Sequence, residues 1–118
     1  MPTFDDVNAL ATALEGVSVG ESYRNVAWKV GKRSFAWERP LSEADIKRFG
    51  PDAPPAGPLL AVSVADLEDK EVVLAQGHAG VFTISHFDGY PALLIELDVV
   101  DPDVLRELIV DAWLTAAP

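Results

Sequence analysis

The chain has 118 residues, 49% of them hydrophobic, and its 9 Lys and Arg face 19 Asp and Glu, a net charge of −10. This length predicts one domain over residues 1–118. With no cysteine, disulfides, thiolate metal sites and cysteine nucleophiles are excluded. No apolar run nears the roughly 18 residues of a membrane span, and the N terminus lacks a signal-peptide pattern. We expect a cytoplasmic monomer with no membrane contact, metal or cofactor.

The first predicted element is a helix that begins after Thr3. Thr3 can cap it, and Asp5 and Asp6 favour the positive end of the helix dipole. Gly16 is typical of a helix end. Apolar residues recur at helical spacing at Phe4, Val7, Leu10, Ala11 and Leu14.

A β-hairpin follows, because the hydrophobic period changes from helical to alternating. Gly31-Lys32 is predicted as its two-residue turn. That turn would place Trp28 opposite Phe35 and Val26 opposite Trp37. We expect these four apolar residues to share the core face.

The middle of the chain predicts a helix, a strand and another helix. Ser42, with Asp45 three residues on, caps the first of these helices, and Gly50-Pro51 ends it. A proline-rich loop covers Gly50–Pro58. A strand over Leu59–Ala65 and a short helix over Asp66–Gln76 follow.

The last part predicts a second hairpin and a final helix. Strands over Val81–Ser85 and Ala92–Leu97 flank Asp88-Gly89, a strong turn signal. The pairs would be Val81 with Glu96, Phe82 with Ile95 and Ile84 with Leu93. The helix begins at Asp101-Pro102 and carries an apolar stripe. This order predicts a two-layer α+β fold, with an antiparallel sheet of about five strands and helices on one face.

Charge is unevenly distributed along the sequence. Residues 22–39 hold Arg24, Lys29, Lys32, Arg33 and Arg39 against Glu38, a net charge of +4, which leaves −14 for the rest. Cations interleaved with aromatic residues are typical of nucleic-acid contacts. For the aromatic residues the pattern favours a structural interpretation, in which Val26, Trp28, Phe35 and Trp37 form the core face of the hairpin and Lys29, Ser34 and Glu38 form its solvated face.

Enzyme signatures are weak. Neither His78 nor His86 has a partner at metal-ligand spacing, and no nucleophile elbow, phosphate-binding loop or dinucleotide fingerprint occurs. The paired acids Glu68 with Asp69 and Asp101 with Asp103 are typical of helix starts, which leaves His86, Asp88, Tyr90 and Glu96 as the candidate grouping for acid-base catalysis. We expect a protein that is not an enzyme.

Several blocks of the sequence resemble the MmcQ/YjbR family. They are Trp28–Lys32 with Phe35–Trp37, the block Phe82–Pro91 with its histidine, aspartate, glycine, tyrosine and proline, the strand Leu93–Leu97, and Leu105–Trp113 with the closing Ala117-Pro118. Ser85 stands where the family pattern often has proline. The similarity covers almost the whole chain.

The resemblance implies a small bacterial protein with a frataxin-like, two-layer fold, from a family whose molecular function is poorly established. It also implies DNA binding by a double wing of two hairpins. The first wing would turn at Gly31-Lys32 and the second at His86–Pro91. The implied nucleic-acid-binding residues are Lys29, Lys32, Arg33, Arg39, His86 and Tyr90.

The net charge opposes DNA binding, so a second hypothesis is an adaptor domain. Its acidic surface, which includes Asp5, Asp6 and Glu15 of the first helix, would hold a basic protein partner.

Overall fold

The computed structural model describes residues 2–22, 25–49, 54–55 and 57–117. The helices are α1 (Phe4–Thr12), α2 (Glu43–Arg48), α3 (Leu67–Ala75) and α4 (Pro102–Ala116). The strands are β1 (Val17–Ser22), β2 (Asn25–Val30), β3 (Arg33–Glu38), β4 (Leu59–Ser63), β5 (Val81–Phe82) and β6 (Ala92–Glu96). The expectations for Tyr23, Arg24 and most of the loop over residues 50–58 fall outside the described residues. Across those ranges, no helix has both the length and the apolar character needed to cross a membrane.

The strands form one antiparallel sheet in the order β1-β2-β3-β4-β6-β5. The α+β fold class is confirmed. The sheet has six strands because Val17–Ser22, expected to be a connection, pairs along β2 as an edge strand. Gly20 has low strand propensity, and Glu21 stands where the Val17 and Val19 alternation would next place an apolar residue, so this strand is hidden in the sequence.

The helix starts lie where the sequence predicts them. The side chains of Thr3 and Ser42 each accept a hydrogen bond from the backbone N–H three residues on. The carboxylates of Asp6 and Asp45 accept in turn from the backbone N–H groups of Thr3 and Ser42, which completes two capping boxes. Asp66 caps α3, and Asp101 caps α4 ahead of its first-turn proline. Local side-chain chemistry therefore sets these boundaries.

The main core lies between one face of the sheet and helices α1 and α4. Alternate residues of the central strands, Leu60 and Val62 of β4 with Leu93 and Ile95 of β6, are fully buried there. The helices contribute Val7, Ala11, Leu105, Leu108, Ile109 and Ala112. Trp28 is 1% exposed, and its indole nitrogen donates to Asn8 Oδ1 at 3.0 Å, so its polar atom is satisfied.

A smaller core covers the opposite face of the sheet. Ala61 of β4 and Leu94 of β6 point to that face, where Ile84 and Phe87 pack on them. Trp37, Leu41, Phe49 and Phe82 surround this cluster. The segments around α2 and residues 84–87 thus pack on the face opposite α1 and α4, and this second layer positions the site described below.

A β-bulge corrects the predicted pairing of the first hairpin. Lys29 pairs with Ser34 as expected, but Trp28 lies opposite Ala36 and Ala27 lies opposite Trp37. Phe35 is the extra residue, and it is fully buried. A one-residue shift exchanges the faces of all later side chains. Trp37 therefore lies on the second face, and the expectation that it shares the Trp28 face is wrong.

The second hairpin is also shorter than predicted. β5 contains only two residues, and Val81 pairs with Ile95 and Phe82 with Leu94, one position away from the expected register. Residues Ser85–Phe87 form a single turn of 3-10 helix instead of continuing the strand. The predicted pairing of Ile84 with Leu93 is therefore wrong, because the chain leaves the sheet to cross its second face.

Candidate functional site: a cleft between the two hairpins

A cleft of about 1040 Å³ opens on the second face of the sheet. It lies between β3, α2 and the segment 86–90 that follows β5. Its principal walls are Trp37 of β3, Arg39 just after it, Arg48 of α2, and His86 and Tyr90. Residues from both predicted wings therefore border one concave surface, which we call the cleft throughout.

Trp37 lines the cleft because of the bulge at Phe35. In a regular register its side chain would join Trp28 in the main core. The shift instead packs Trp37 at the edge of the second core, where it is partly buried and borders the cleft. An aromatic side chain therefore forms part of the cleft wall.

Arg39 is fixed in the cleft wall by several contacts. One guanidinium nitrogen, Nη2, lies 3.0 Å from Asp45 Oδ2, and the other, Nη1, donates to the Pro40 carbonyl. The guanidinium carbon lies 5.7 Å from the centre of the Phe87 ring, within cation–π range. Arg39 therefore ties β3 to α2 and to the second wing.

Asp45 is the buried acid of this arrangement, with 2% of its surface exposed. Burial acts to raise the pKa of Asp45, but the hydrogen bonds from Ser42 and the guanidinium of Arg39 outweigh it and lower the pKa below its ordinary value. The carboxylate therefore stays ionised, and its charge is compensated by Arg39.

The segment that carries His86 and Tyr90 ends in a tight turn. Asp88 has φ −59° and ψ 128°, Gly89 has φ 74°, and the Tyr90 amide donates to the Phe87 carbonyl at 3.0 Å. These angles define a type II turn, in which Gly89 takes the position that favours glycine. Phe87 is the buried anchor, while Tyr90 is 48% exposed.

The side chain of Lys70 of α3 hydrogen-bonds to the backbone of this turn. The side chain is only 6% exposed, and its ammonium donates to the Phe87 carbonyl at 2.6 Å and the Tyr90 carbonyl at 3.0 Å. Burial lowers the pKa of Lys70, and the nearby Asp88 carboxylate partly offsets this effect. A buried cation thus satisfies two carbonyl groups and fixes the backbone that presents His86 and Tyr90.

The structure brings together three of the six residues expected to bind nucleic acid. Arg39, His86 and Tyr90 line the cleft. Lys29 pairs with the cleft residue Ser34 and so lies on the same sheet face, where its ammonium donates to the Glu21 carbonyl at 3.2 Å. Lys32 and Arg33 are exposed at the hairpin turn and do not line the cleft.

Sequence reasoning missed Trp37 as a cleft residue and overlooked Arg48 and Lys70. The alternating pattern predicts Trp37 in the core, because a bulge has no signal in that pattern. Arg48 lies outside the basic segment of residues 22–39. Lys70 is one of several charged residues in a helix of weak amphipathic pattern, and only the fold shows that it points to the second wing.

The grouping considered for acid-base catalysis is not assembled in the cleft. His86 and Tyr90 line it, whereas Asp88 and Glu96 are not among its lining residues. Within residues 2–22, 25–49, 54–55 and 57–117, no three His, Asp or Glu side chains converge in a way that can hold a metal ion. The geometry is that of a binding surface with aromatic rings and charges of both signs, because Glu38 and Asp45 line it together with Arg39 and Arg48.

A small α+β domain with a cleft between two hairpins is the class of protein that these observations define. The chain belongs to the YjbR family, which matches residues 10–115. Similar proteins include the uncharacterized proteins Mb2600 of Mycobacterium bovis and Rv2570 of Mycobacterium tuberculosis. Each is 39% identical over 121 residues, which span 100% of this chain and 91% of the relative. No solved structure matches the chain.

Proposed function

We propose that this protein is a DNA-binding module and that the cleft is its binding surface. The observation that carries the proposal is that both hairpins border one cavity of about 1040 Å³, whose lining includes aromatic rings and the cations Arg39 and Arg48 beside the acids Glu38 and Asp45. Bases have faces that stack on aromatic rings, and arginine and lysine attract phosphates. Binding, and not catalysis, is the function that this arrangement favours.

The shape of the cleft favours unpaired nucleotides. A duplex presents a wide phosphate surface, which needs an equally broad basic face on the protein. This chain has a net charge of −10, and its cations are concentrated near β2, β3 and α2. Trp37 and the exposed Tyr90 offer ring surfaces to bases that have left the stack.

Arg48 is the cleft cation best placed to meet phosphate. It is exposed, and within the described part of the chain it forms no ion pair. Arg39 is already paired with Asp45. Lys29 on the same sheet face and the hairpin-turn residues Lys32 and Arg33 extend the positive surface beyond the cleft.

Few cations take part, so affinity should be modest and only moderately salt dependent. With about four phosphate contacts, the slope of log affinity against log salt should be about −3 for single strands. The acidic residues in the rest of the chain repel the DNA phosphates, and this repulsion is strongest at low ionic strength, where charges are least screened.

The proposal is tested by fluorescence anisotropy of labelled single-stranded and duplex DNA at low salt. We expect binding to single strands in the micromolar range, weakened by Tyr90→Ala and by Arg48→Glu. Arg106→Glu is the matched control, because Arg106 is an exposed cation of α4, remote from the cleft lining, and it pairs only with Asp103 at 3.3 Å among the described residues. No binding at tens of micromolar protein, or equal loss with Arg106→Glu, contradicts the proposal.

A second candidate, binding of a basic protein partner, has its own observation. Burial raises the pKa of Asp111 on α4, and the negative charges of Asp69 on α3 and Glu107 add to the effect. Acids of two helices therefore converge on one surface. If this surface is the functional one, Asp69→Asn with Glu107→Gln should abolish capture of the partner, while Arg48→Glu should leave it intact.

A further inference from the structure

Lys70 connects two segments that are distant in the sequence. It lies on α3, and its ammonium donates to the backbone carbonyls of Phe87 at 2.6 Å and of Tyr90 at 3.0 Å, which are 17 and 20 residues further along the chain. In the same turn the Tyr90 amide donates to the Phe87 carbonyl at 3.0 Å. One side chain of α3 therefore contacts both the first and the last residue of this turn.

The Lys70 side chain does not reach the cleft. Lys70 is 6% exposed and is not one of the residues that line the cleft. An ammonium that is buried and directed at two carbonyl oxygens is not available to a phosphate of bound DNA. An effect of Lys70 on DNA binding must therefore act through the turn that it contacts.

The turn carries two aromatic rings with different environments. The Phe87 ring is anchored in the second core, where the residue is 3% exposed. Tyr90 is 48% exposed and borders the cleft, and its ring meets the Phe87 ring edge to face, with 5.6 Å between the ring centres and an angle of 71° between the planes. The Tyr90 ring is therefore positioned by the Phe87 ring beside it and by the Lys70 hydrogen bonds to the backbone.

The wall that carries Arg48 is held by other contacts. Arg48 is the last residue of α2, and Asp45 of the same helix forms the ion pair with Arg39 that ties α2 to the end of β3. Among the described residues, no hydrogen bond or ion pair joins Lys70 to α2. A change at Lys70 should therefore reach Tyr90 and leave Arg48 in place.

We propose that Lys70 is a positioning residue for DNA binding. By fixing the turn, it holds the Tyr90 ring where an unpaired base stacks on it, and it thereby determines the preference of the cleft for single strands over duplex. The inference rests on the proposed function and assigns part of its specificity to a residue outside the cleft. Stacking requires the ring and the base to be in contact, so a small displacement of the turn weakens it. Attraction of phosphates acts over about 10 Å and tolerates the same displacement.

A double-mutant cycle tests the coupling, with the Kd of a labelled single-stranded oligonucleotide measured by fluorescence anisotropy. In the parent, Tyr90→Ala should weaken binding about tenfold, as expected for the loss of one base–aromatic contact. In the Lys70→Met background the same change should weaken binding less than about twofold, because the ring is already displaced. Arg48→Glu should weaken binding by the same factor in both backgrounds. Equal effects of Tyr90→Ala in both backgrounds would overturn the inference.

The salt dependence separates positioning from a direct effect of charge. Lys70→Met removes a positive charge, yet the slope of log affinity against log salt should stay unchanged, because the buried ammonium contacts no phosphate. Arg48→Glu should make the slope shallower. Arg106→Met, which removes an exposed cation of α4, is the control for the lost charge and should change neither the slope nor the affinity by more than about twofold. A shallower slope in Lys70→Met would contradict the inference.

Two further arms separate this inference from folding and from the proposed function. Circular dichroism checks that each variant is folded at the temperature used, and Lys70→Gln, a shorter neutral donor, takes the place of Lys70→Met if that variant does not fold. Lys70→Arg keeps a cationic donor and should retain most of the preference for single strands. Equal loss of single-strand and duplex affinity in folded Lys70→Met overturns the inference and leaves DNA binding in the cleft standing. Failure of the parent to bind either form overturns the proposed function and this inference with it.

Discussion

Lys70 donates a hydrogen bond of 2.6 Å to the carbonyl oxygen of Phe87, so a buried side chain of α3 fixes the segment that borders the cleft. The same ammonium reaches the Tyr90 carbonyl at 3.0 Å. The second wing is therefore held by a side chain from outside its own hairpin. Its geometry depends on the packing of α3 as much as on the local turn.

Replacement of Lys70 tests this dependence. Lys70→Met keeps the apolar stem but leaves two carbonyl groups without their donor, so we expect a loss of about 1–3 kcal/mol in the free energy of unfolding. Urea denaturation measures it. Lys32→Met, at an exposed turn position, is the control and should change stability by less than about 0.5 kcal/mol. Equal stability of the two variants would show that the buried contacts contribute nothing.

Gly89 and His86 should behave differently although they lie in one turn. Gly89 has φ 74°, where a β-branched residue is strained, so Gly89→Val should destabilise the protein by about 1–2 kcal/mol or more. Gly89→Asn should cost less, because asparagine tolerates this conformation better. His86 is exposed, and His86→Ala should stay within about 1 kcal/mol of the parent. Thermal unfolding of the three variants checks the order, and unfolding of His86→Ala would contradict it.

Asp45 should make stability depend on acid pH. Its pKa in the folded chain lies below the ordinary value of 3.8, so its contribution is complete above that value and is lost as pH falls through the folded pKa. Asp45→Asn should therefore cost about 1–3 kcal/mol near neutral pH, and the difference from the parent should shrink toward pH 2. Urea denaturation across this range measures the difference. A constant difference at every pH would contradict the role of the ionised carboxylate.

Ionisation of Asp111 should affect stability in the direction opposite to that of Asp45. Burial, with the charges of Asp69 and Glu107, raises its pKa in the folded chain above 3.8, so the ionised carboxylate is unfavourable above the folded pKa. Because Asp111 is exposed and solvent screens its charge, the effect is small, and Asp111→Asn should raise the melting temperature only slightly at neutral pH. That gain should diminish as pH falls through the folded pKa and disappear below 3.8. A variant less stable than the parent at pH 7 would show that the carboxylate has a partner it needs.

The sequence predicts those features of the fold that depend on local chemistry. The caps at Thr3, Ser42 and Asp101 are read from single side chains, and the apolar stripe of α4 follows from its period. The turn at Gly31-Lys32 is also correct, since Val30 pairs with Arg33 across it. These features need no knowledge of distant residues.

The cleft was not predictable in the same way, because it depends on register. Phe35 is apolar and buried in either register, so nothing in the alternating pattern distinguishes a regular strand from a bulge. That one residue decides whether Trp37 joins the main core or the cleft wall. Arg48 and Lys70 reach the second wing only through the packing of α2 and α3, which no local pattern records.

The central claim is that the cleft between the two hairpins binds unpaired DNA, and NMR chemical-shift mapping tests it most directly. The full chain, labelled with nitrogen-15, is titrated with a short single-stranded oligonucleotide. We predict that the largest shifts occur at the Trp37 indole, the Arg48 and Tyr90 amides and the His86 ring, with α1 and α4 unaffected. Shifts confined to the acidic residues of α3 and α4, or no shifts at all, would contradict the claim.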